Sequence, residues 1–357
     1  MSGGGDGGGA PAPFALACPA PLDEGDRVTL GHGSGGRLTQ RLLEEIILPA
    51  FESPALDRRD DQAVVDAGPG RLAFTTDGFV ITPLFFPGGD IGKLAVHGTV
   101  NDLAMSGAAP RFLSVAFILE EGLPLDTLRR VVLSMRDAAR ACGVAIVTGD
   151  TKVVGRGHAD RIFVTTSGVG SVPDGVSLSS DRVRPGDVAI VSGTIADHGM
   201  AVMAARDELG FGDALSSDTA PLHGLVAALL ASRADVRCLR DPTRGGLAAA
   251  LVEIAARSRV AVEIDEPRLP VRPAVRGACE LLGLDPLFVA NEGKLVAFVA
   301  ERDAARALDA LRAHPLGRDA AVVARATDRA AGNVVRTSIG SRRALDLPWT
   351  DPLPRIC

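Results

Sequence analysis

Two hydrophobic periods alternate along the chain: short apolar runs of strand length, and longer stretches repeating every three or four residues. Arg27-Val-Thr-Leu30 reads as a short strand, followed by an amphipathic helix from Arg37 to Phe51. Asp60-Asp61-Gln-Ala-Val-Val65 puts two carboxylates at the mouth of a strand, and Leu72-Ala-Phe-Thr-Thr76 is another strand, ending at Asp77-Gly78. Asp90 is placed to cap a helix from Ile91 to about Ser106. Then come an apolar strand from Phe112 to Leu119 and a helix from Asp126 to Cys142, with Gly143 as its C-cap. Val144-Ala-Ile-Val147 is a buried strand that breaks into Thr148-Gly-Asp-Thr-Lys152, and Ile162 to Val169 is a further strand.

The second half repeats this style. Val183-Arg-Pro-Gly-Asp187 leads into Val188-Ala-Ile-Val191 and opens a second α/β unit. Strands alternating with helices predict an α/β (α+β) protein. The expected divisions are a Gly/Pro-rich leader over residues 1–26, an N-terminal domain over 27–175, a C-terminal domain over 176–340 and a mobile tail over 341–357. Asp241-Pro-Thr-Arg-Gly-Gly246 precedes a helix from Leu247 to Arg257; its free N–H groups beside Arg244 suit an anion, or simply an ordinary glycine-rich cap. Phe288 to Phe298 reads as two apolar strands with Glu292 and Lys294 in the turn between them.

Composition narrows the picture. Hydrophobic residues make up 46% and aromatics 4%, with no tyrosine, so the interior must be built mainly from Ala, Val, Leu and Ile. A net charge of −6 argues against a broad nucleic-acid surface and against a polybasic membrane contact. No apolar run approaches the roughly 18 residues of a membrane span. Five scattered cysteines (Cys18, Cys142, Cys238, Cys279, Cys357) form no C-x-x-C pair, which disfavours a zinc site or a disulfide framework and suits a reducing cytoplasm. The glycine-rich start, Met1 to Ala10, has no charged region followed by an apolar stretch and is not a secretory signal.

Candidate chemistry lies in carboxylates and glycines. Gly31, Gly33 and Gly36 fit G-x-G-x-x-G, but Ser53-Pro54 and a charged loop stand where a dinucleotide fold needs a second strand with its acidic end. Gly88 to Leu94 misses the P-loop spacing by one and lacks its Ser or Thr. Lys93, His97 and Asn101 recur every four residues and share one helix face, with Asp102 adjacent. Asp60/Asp61, Asp77, Asn101/Asp102 and Asp150 all fall where strands end or a helix turns. Mg²⁺ takes hard oxygen ligands and shares them with phosphates, so a metal–phosphate site assembled from several loops is the economical reading; coincident turn aspartates are the alternative. At the C-terminus, Pro354-Arg-Ile-Cys357 ends a proline-rich stretch that would reach roughly 55 Å from Ser341 if fully extended. It reads either as a frayed end or as an arm carrying a thiol.

Seven segments occur in order: Gly31-His-Gly-Ser-Gly-Gly36, Asp60-Asp61-x-Ala, Thr76-Asp-Gly78, Gly98-Thr-Val-Asn-Asp-Leu-Ala-Met-Ser-Gly107, Gly149-Asp-Thr-Lys152, Asp241-Pro-Thr-Arg-Gly-Gly246 and Asn291-Glu-Gly-Lys294. Together they resemble the ATP-dependent superfamily of aminoimidazole ribonucleotide synthetase (PurM-like). The terminal Pro-Arg-Ile-Cys357 narrows the resemblance, over residues 27–357, to the HypE family of carbamoyl dehydratases. The resemblance implies two PurM-like domains, the N-terminal sheets of two copies pairing into a dimeric β-barrel with ATP at the cleft between subunits. It implies ATP and Mg²⁺ as cofactors, a homodimer, a carbamoyltransferase partner (HypF) that loads Cys357, and an iron-holding HypC–HypD complex that receives the cyano group. It also implies roles. Cys357 would carry the substrate, Glu292 would be the base and Lys152 would orient it or stabilise the phosphorylated oxygen. Asp61, Asp77, Asp102 and Asp150 would hold Mg²⁺, and with Asn101, Lys93 and His97 would line the nucleotide site; the role of His32 stays open. Sibling enzymes of the same fold, such as selenophosphate synthetase or aminoimidazole ribonucleotide synthetase, are the alternative, as is a scaffold with a docking tail. A selenophosphate synthetase would want a reactive Cys in the glycine-rich arm, which has none.

Overall fold

The first strand, β1 (Arg71–Phe79), alternates between partly buried and exposed positions. Ala73, Thr75, Asp77 and Phe79 face inward, and Leu72, Phe74, Thr76 and Gly78 face out. In this computed structural model the described residues are 27–29, 41–51, 70–206, 214–328, 330, 332–346 and 356. The expected strand Asp60–Val65, the glycine arm with His32, Asp61 and Cys357 lie outside them.

After β1 the short strands β2 (Phe85–Phe86) and β3 (Gly89–Asp90) pair with each other; β1 itself pairs with β6 (Ile162–Val172), β6 with β4 (Ala109–Glu120), and β4 with β5 (Ala145–Val154), giving an open four-stranded sheet in the order β1-β6-β4-β5. Helix α1 (residues 41–51), α2 (Ile91–Met105) and α3 (Leu125–Cys142) go with this sheet. α3 is amphipathic: Leu128, Val131, Val132, Met135, Ala138, Ala139 and Cys142 are buried, and Gly143 caps it at φ 68°. α2 is buried on nearly every side. Asp90 caps it by accepting from the Gly92 and Lys93 N–H groups at 2.8 and 3.1 Å. Gly98 lets α2 approach β1 closely, since a Cβ there would lie 3.0 Å from the Phe79 ring.

The second unit is a seven-stranded sheet in the order β13-β12-β9-β11-β7-β10-β8. Its strands are β7 (Val188–Val191), β8 (Val236–Arg240), β9 (Ala261–Asp265), β10 (Val296–Val299), β11 (Ala321–Thr327), β12 (Val334–Arg336) and β13 (Arg342–Ala344). Helix α4 (Asp197–Arg206) packs toward the first unit. α5 (His223–Ala231), α6 (Gly246–Ser258), α7 (Pro273–Leu282) and α8 (Ala304–Arg312) complete it. Val191, Val262 and Phe298 pack with α6 residues in one core, and Ile190, Ala297 and Val299 with α5 and α8 residues in another, so both sheet faces are covered. The first unit's core continues into the second through Met200, Val275, Cys279 and Val289.

Four expectations change. Arg27 makes an isolated bridge to Pro124 instead of a strand. β5 does not break at Thr148; Gly149 tucks against β4, where a Cβ would stand 2.5 Å from the Val115 carbonyl, and the strand runs on through Asp150 and Lys152. The segment before Glu292 is a short 3₁₀ turn (Pro286–Phe288) and a buried loop, not the first strand of a hairpin. The arm expected from residue 341 begins with a paired strand, β13, and Leu345 is buried. Near the chain end Ile356 is buried as well, at 1% exposure, within the core.

Candidate active site

Four carboxylates converge where the two units meet. Asp77 comes from the inner face of β1, Asp102 from α2, Asp241 from the turn after β8, and Glu292 from the loop before β10. Thr75 donates to Asp102 at 2.7 Å, tying α2 to β1. Burial raises the pKa of Asp77, and burial with the Asp77 charge raises that of Asp102. Asp241 is pushed up to about 7 by burial and the Asp102 charge. Glu292 is raised well above the usual carboxylate range, first by burial and then by Asp241, Asp218, Asp77 and Asp102. Its Oε1 is buried with no hydrogen-bond partner. Positive charge comes from Arg244, which acts on Asp77, and from Arg240, which acts on Asp102 and Asp241.

A dense backbone lattice holds the Glu292 loop. Asn101 donates to the carbonyls of Ala220 and Glu292 at 3.1 and 3.0 Å and accepts from the Leu222 N–H at 2.8 Å. Asn291 accepts from the Ala196 N–H at 2.7 Å and donates to the carbonyls of Pro242 and Val289. The Glu292 N–H donates to Asp218 Oδ1 at 3.3 Å, and Lys294 Nζ lies 3.1 Å from Asp218 Oδ2. Burial alone would raise Asp218; the Lys294 ammonium, with its hydrogen bond, is what chiefly holds it below its ordinary value. Gly293 is obligatory, because a Cβ there would sit 1.7 Å from the Asp218 carbonyl oxygen. Gly246, at φ +66°, lets α6 start against the Leu287 carbonyl in the same way.

The expected site residues divide. Asp77, Asp102 and Glu292 come together. Asn101 turns its amide to the backbone, donating both Nδ2 protons and accepting the Leu222 N–H at Oδ1, and so positions Glu292. Lys93 and His97 line a groove of about 770 Å³ with Phe85, Arg130 and Thr219, and none of the four clustered carboxylates borders it. Lys93 donates to the Gly88 carbonyl at 3.0 Å, and His97 Nδ1 is 3.2 Å from Thr219 Oγ1. Burial and the Lys93 charge bring His97 down to about 3, so it stays neutral. Asp150 and Lys152 pair at 2.9 Å on β5, both largely exposed, and Lys152 makes no contact with Glu292. Asp77, Thr166, Val115 and Gly149 form one row across the sheet. That row places Asp150 about 14 Å from Asp77, three strand spacings away.

Hard, buried, mutually repelling oxygens with little compensating charge are what a divalent cation neutralises, so Asp77 and Asp102 fit Mg²⁺ chemically. Among the described residues no three His, Cys, Asp or Glu side chains are arranged to hold a metal unaided. Water or phosphate oxygens would complete the shell.

Residues 59–172 match the family model for the N-terminal domain of AIR synthase related protein, and residues 184–336 match its C-terminal counterpart. The carbamoyl dehydratase HypE of Azotobacter vinelandii is 53% identical over 331 residues, covering 92% of this chain and 97% of that protein. The chain belongs to the HypE family. A crystal structure of the hydrogenase maturation protein HypE in complex with ATP superimposes with a TM-score of 0.88 at 47% identity, covering 92% of this chain and 99% of that one. A structure of a HypE–HypF complex matches at 46% identity and TM-score 0.75, covering 88% and 100%. Within the HypE-type site, sequence reasoning left out Asp241 as a carboxylate of the cluster, although its motif was visible. It left out Asp218, in a polar loop that carries no periodic or motif signal.

Proposed function

We propose that this protein uses ATP to dehydrate a carbamoyl group carried on the sulfur of Cys357 to a thiocyanate, supplying cyanide for the Fe(CN)₂CO centre of [NiFe] hydrogenase. The observation that carries the reading is the burial of Ile356: the residue before Cys357 sits beside His198, which feels the charge of Asp218, which in turn holds the Glu292 loop. Membership of the HypE family supports it, as do the ATP-bound and HypF-bound relatives.

An amide oxygen leaves poorly. Transfer of the γ-phosphoryl group to it makes it leave as phosphate, and loss of both N–H protons completes the nitrile. The products are the S-cyano cysteine, ADP and phosphate. Glu292, with its raised proton affinity and an unpartnered oxygen, is the base. A Mg²⁺ ion held by Asp77 and Asp102, with Asp61, would neutralise phosphate charge. The Gly-Gly start of α6 with Arg244 is suited to a phosphate.

The pairing of Lys152 with Glu292 is completed in a homodimer. The outer face of the four-stranded sheet carries exposed Leu72 (52%), Phe74 (71%) and Ile118 (37%), and Lys152 stands in the same face through its pairing with Ile118. Two such faces packed together bury this apolar surface as a dimeric barrel and carry Lys152 toward the second copy's site. The carbamoyl group arrives from HypF, and the cyano group leaves to iron on HypC–HypD, in the cytoplasm. ADP formation tests the coupling: chains loaded with carbamoyl should form ADP in step with loaded tails, and Cys357→Ala chains should form none. Equal ADP from both would overturn the reading.

A further inference from the structure

His198, in the first turn of α4, is fully buried with its ring edge-on to Phe86, centroids 5.5 Å apart. Nε2 lies 2.8 Å from the carbonyl oxygen of Ile356, and Nδ1 lies 2.8 Å from Ser217 Oγ. A carbonyl only accepts, so the proton is on Nε2, and Nδ1 accepts from the Ser217 hydroxyl. The Ser217 oxygen accepts in turn from the Thr219 N–H at 3.2 Å. Burial lowers the ring's proton affinity and so favours the neutral form with this pattern. Both ring nitrogens are therefore committed, one of them to the backbone of the penultimate residue. The Ile356 side chain belongs to the apolar cluster that includes Ala196, Met200 and Val275. Ser217 also adjoins Asp218, whose carboxylate accepts from the Glu292 N–H.

We infer that His198 and Ser217 form a latch that seats Ile356 and so positions Cys357 for reaction at the carboxylate cluster. The inference rests on the proposed function only in giving Cys357 the reacting group; the seat itself does not. His198 is a positioning residue, since it touches Ile356 and not the reacting atoms. Every contact of the latch lies upstream of the sulfur. It therefore holds thiol, carboxamide and thiocyanate forms equally, and contributes binding that does not change as the chemistry proceeds. The chemical change on sulfur does not itself loosen the latch, so a partner that binds the undocked tail would draw the product out by shifting the equilibrium.

Alkylation of Cys357 tests this without partner or nucleotide. The full chain is treated with iodoacetamide, cleaved before Asp351, and the peptide of residues 351–357 is quantified by mass spectrometry over time. Cys357 in the intact protein should react more slowly than in the free peptide. His198→Leu keeps the bulk and removes the donor, and should raise the rate roughly five- to tenfold, the worth of one buried hydrogen bond. His198→Gln restores an N–H toward the same carbonyl and should recover most of the protection, which a merely structural loss would not allow. Ile356→Gly removes one side chain from the edge of that apolar cluster and empties the seat, and should raise the rate at least tens-fold. Wild-type Cys357 reacting as fast as the peptide, or both His198→Leu and Ile356→Gly reacting as wild type, overturns the latch. Failure of the dehydratase reading would look different: protection intact, but no loss of water from a loaded tail on adding ATP.

Discussion

Glu292 holds a carboxylate where burial and four neighbouring acids oppose its charge. Its folded pKa is raised, so the native state binds its proton more tightly than the unfolded chain does. The stability this gives is complete below the ordinary carboxylate pKa and is lost as pH rises through the raised folded value. Glu292→Gln should therefore raise the melting temperature at pH 8 by about 1–2 °C for each kcal/mol of repulsion relieved, and the gain should vanish near pH 4. Calorimetry at the two pH values checks it; an equal or reversed gain at pH 4 contradicts the assignment. Asn101→Ala should act differently. It strands three backbone groups, should cost about 2–4 kcal/mol in denaturant unfolding, and should slow dehydration through a displaced Glu292 rather than through weaker ATP binding. At this scale the acidic motifs were legible because Asp77, Asp102 and Glu292 stand in recognisable spacings. That Asn101 turns its amide to three backbone groups was not legible, because those partners lie about 120 and 190 positions away in sequence. Asp218 was invisible: its role depends on Lys294 and the Glu292 N–H, contacts that exist only after the loops meet.

Elements followed the hydrophobic periods wherever a periodic run decided them, as in α3, whose apolar positions recur at helical spacing and end at Gly143. They departed where close packing overrode local cues. Thr148-Gly-Asp-Thr reads as a break, yet Gly149 is there for the Val115 carbonyl, and the β-branched threonines continue β5. The consequence is functional: Asp150 and Lys152 stand on a strand and aim away from Glu292. If Lys152 acts across the barrel, mixing Lys152→Ala with Glu292→Ala chains should recover activity in heterodimers, to about a quarter of wild type for random pairing. Recovery absent from a verified mixture contradicts the arrangement across subunits. Phe74→Arg on the outer face of β1 should shift the protein toward monomer in sedimentation and abolish dehydration, leaving the fold of each unit intact by circular dichroism.

Across the whole molecule, the two α/β units could be read from alternating strands and helices. The continuous core beneath Ile356 could not, because it joins residues some 150 positions apart in sequence, among them Met200 and Ile356. A proline-rich terminus predicts an extended segment, but not the burial of Ile356. Among the described residues no helix is long and apolar enough to cross a membrane. The central claim is that the chain end brings a carbamoyl group to the buried carboxylates and leaves with a nitrile. Intact mass of the protein, loaded by its carbamoyltransferase and then given ATP, tests it most directly. The account predicts a carbamoyl adduct on Cys357 that loses the mass of one water only with ATP, and that persists in Glu292→Ala. An adduct that forms equally in Cys357→Ala, or that loses water without ATP, would contradict it.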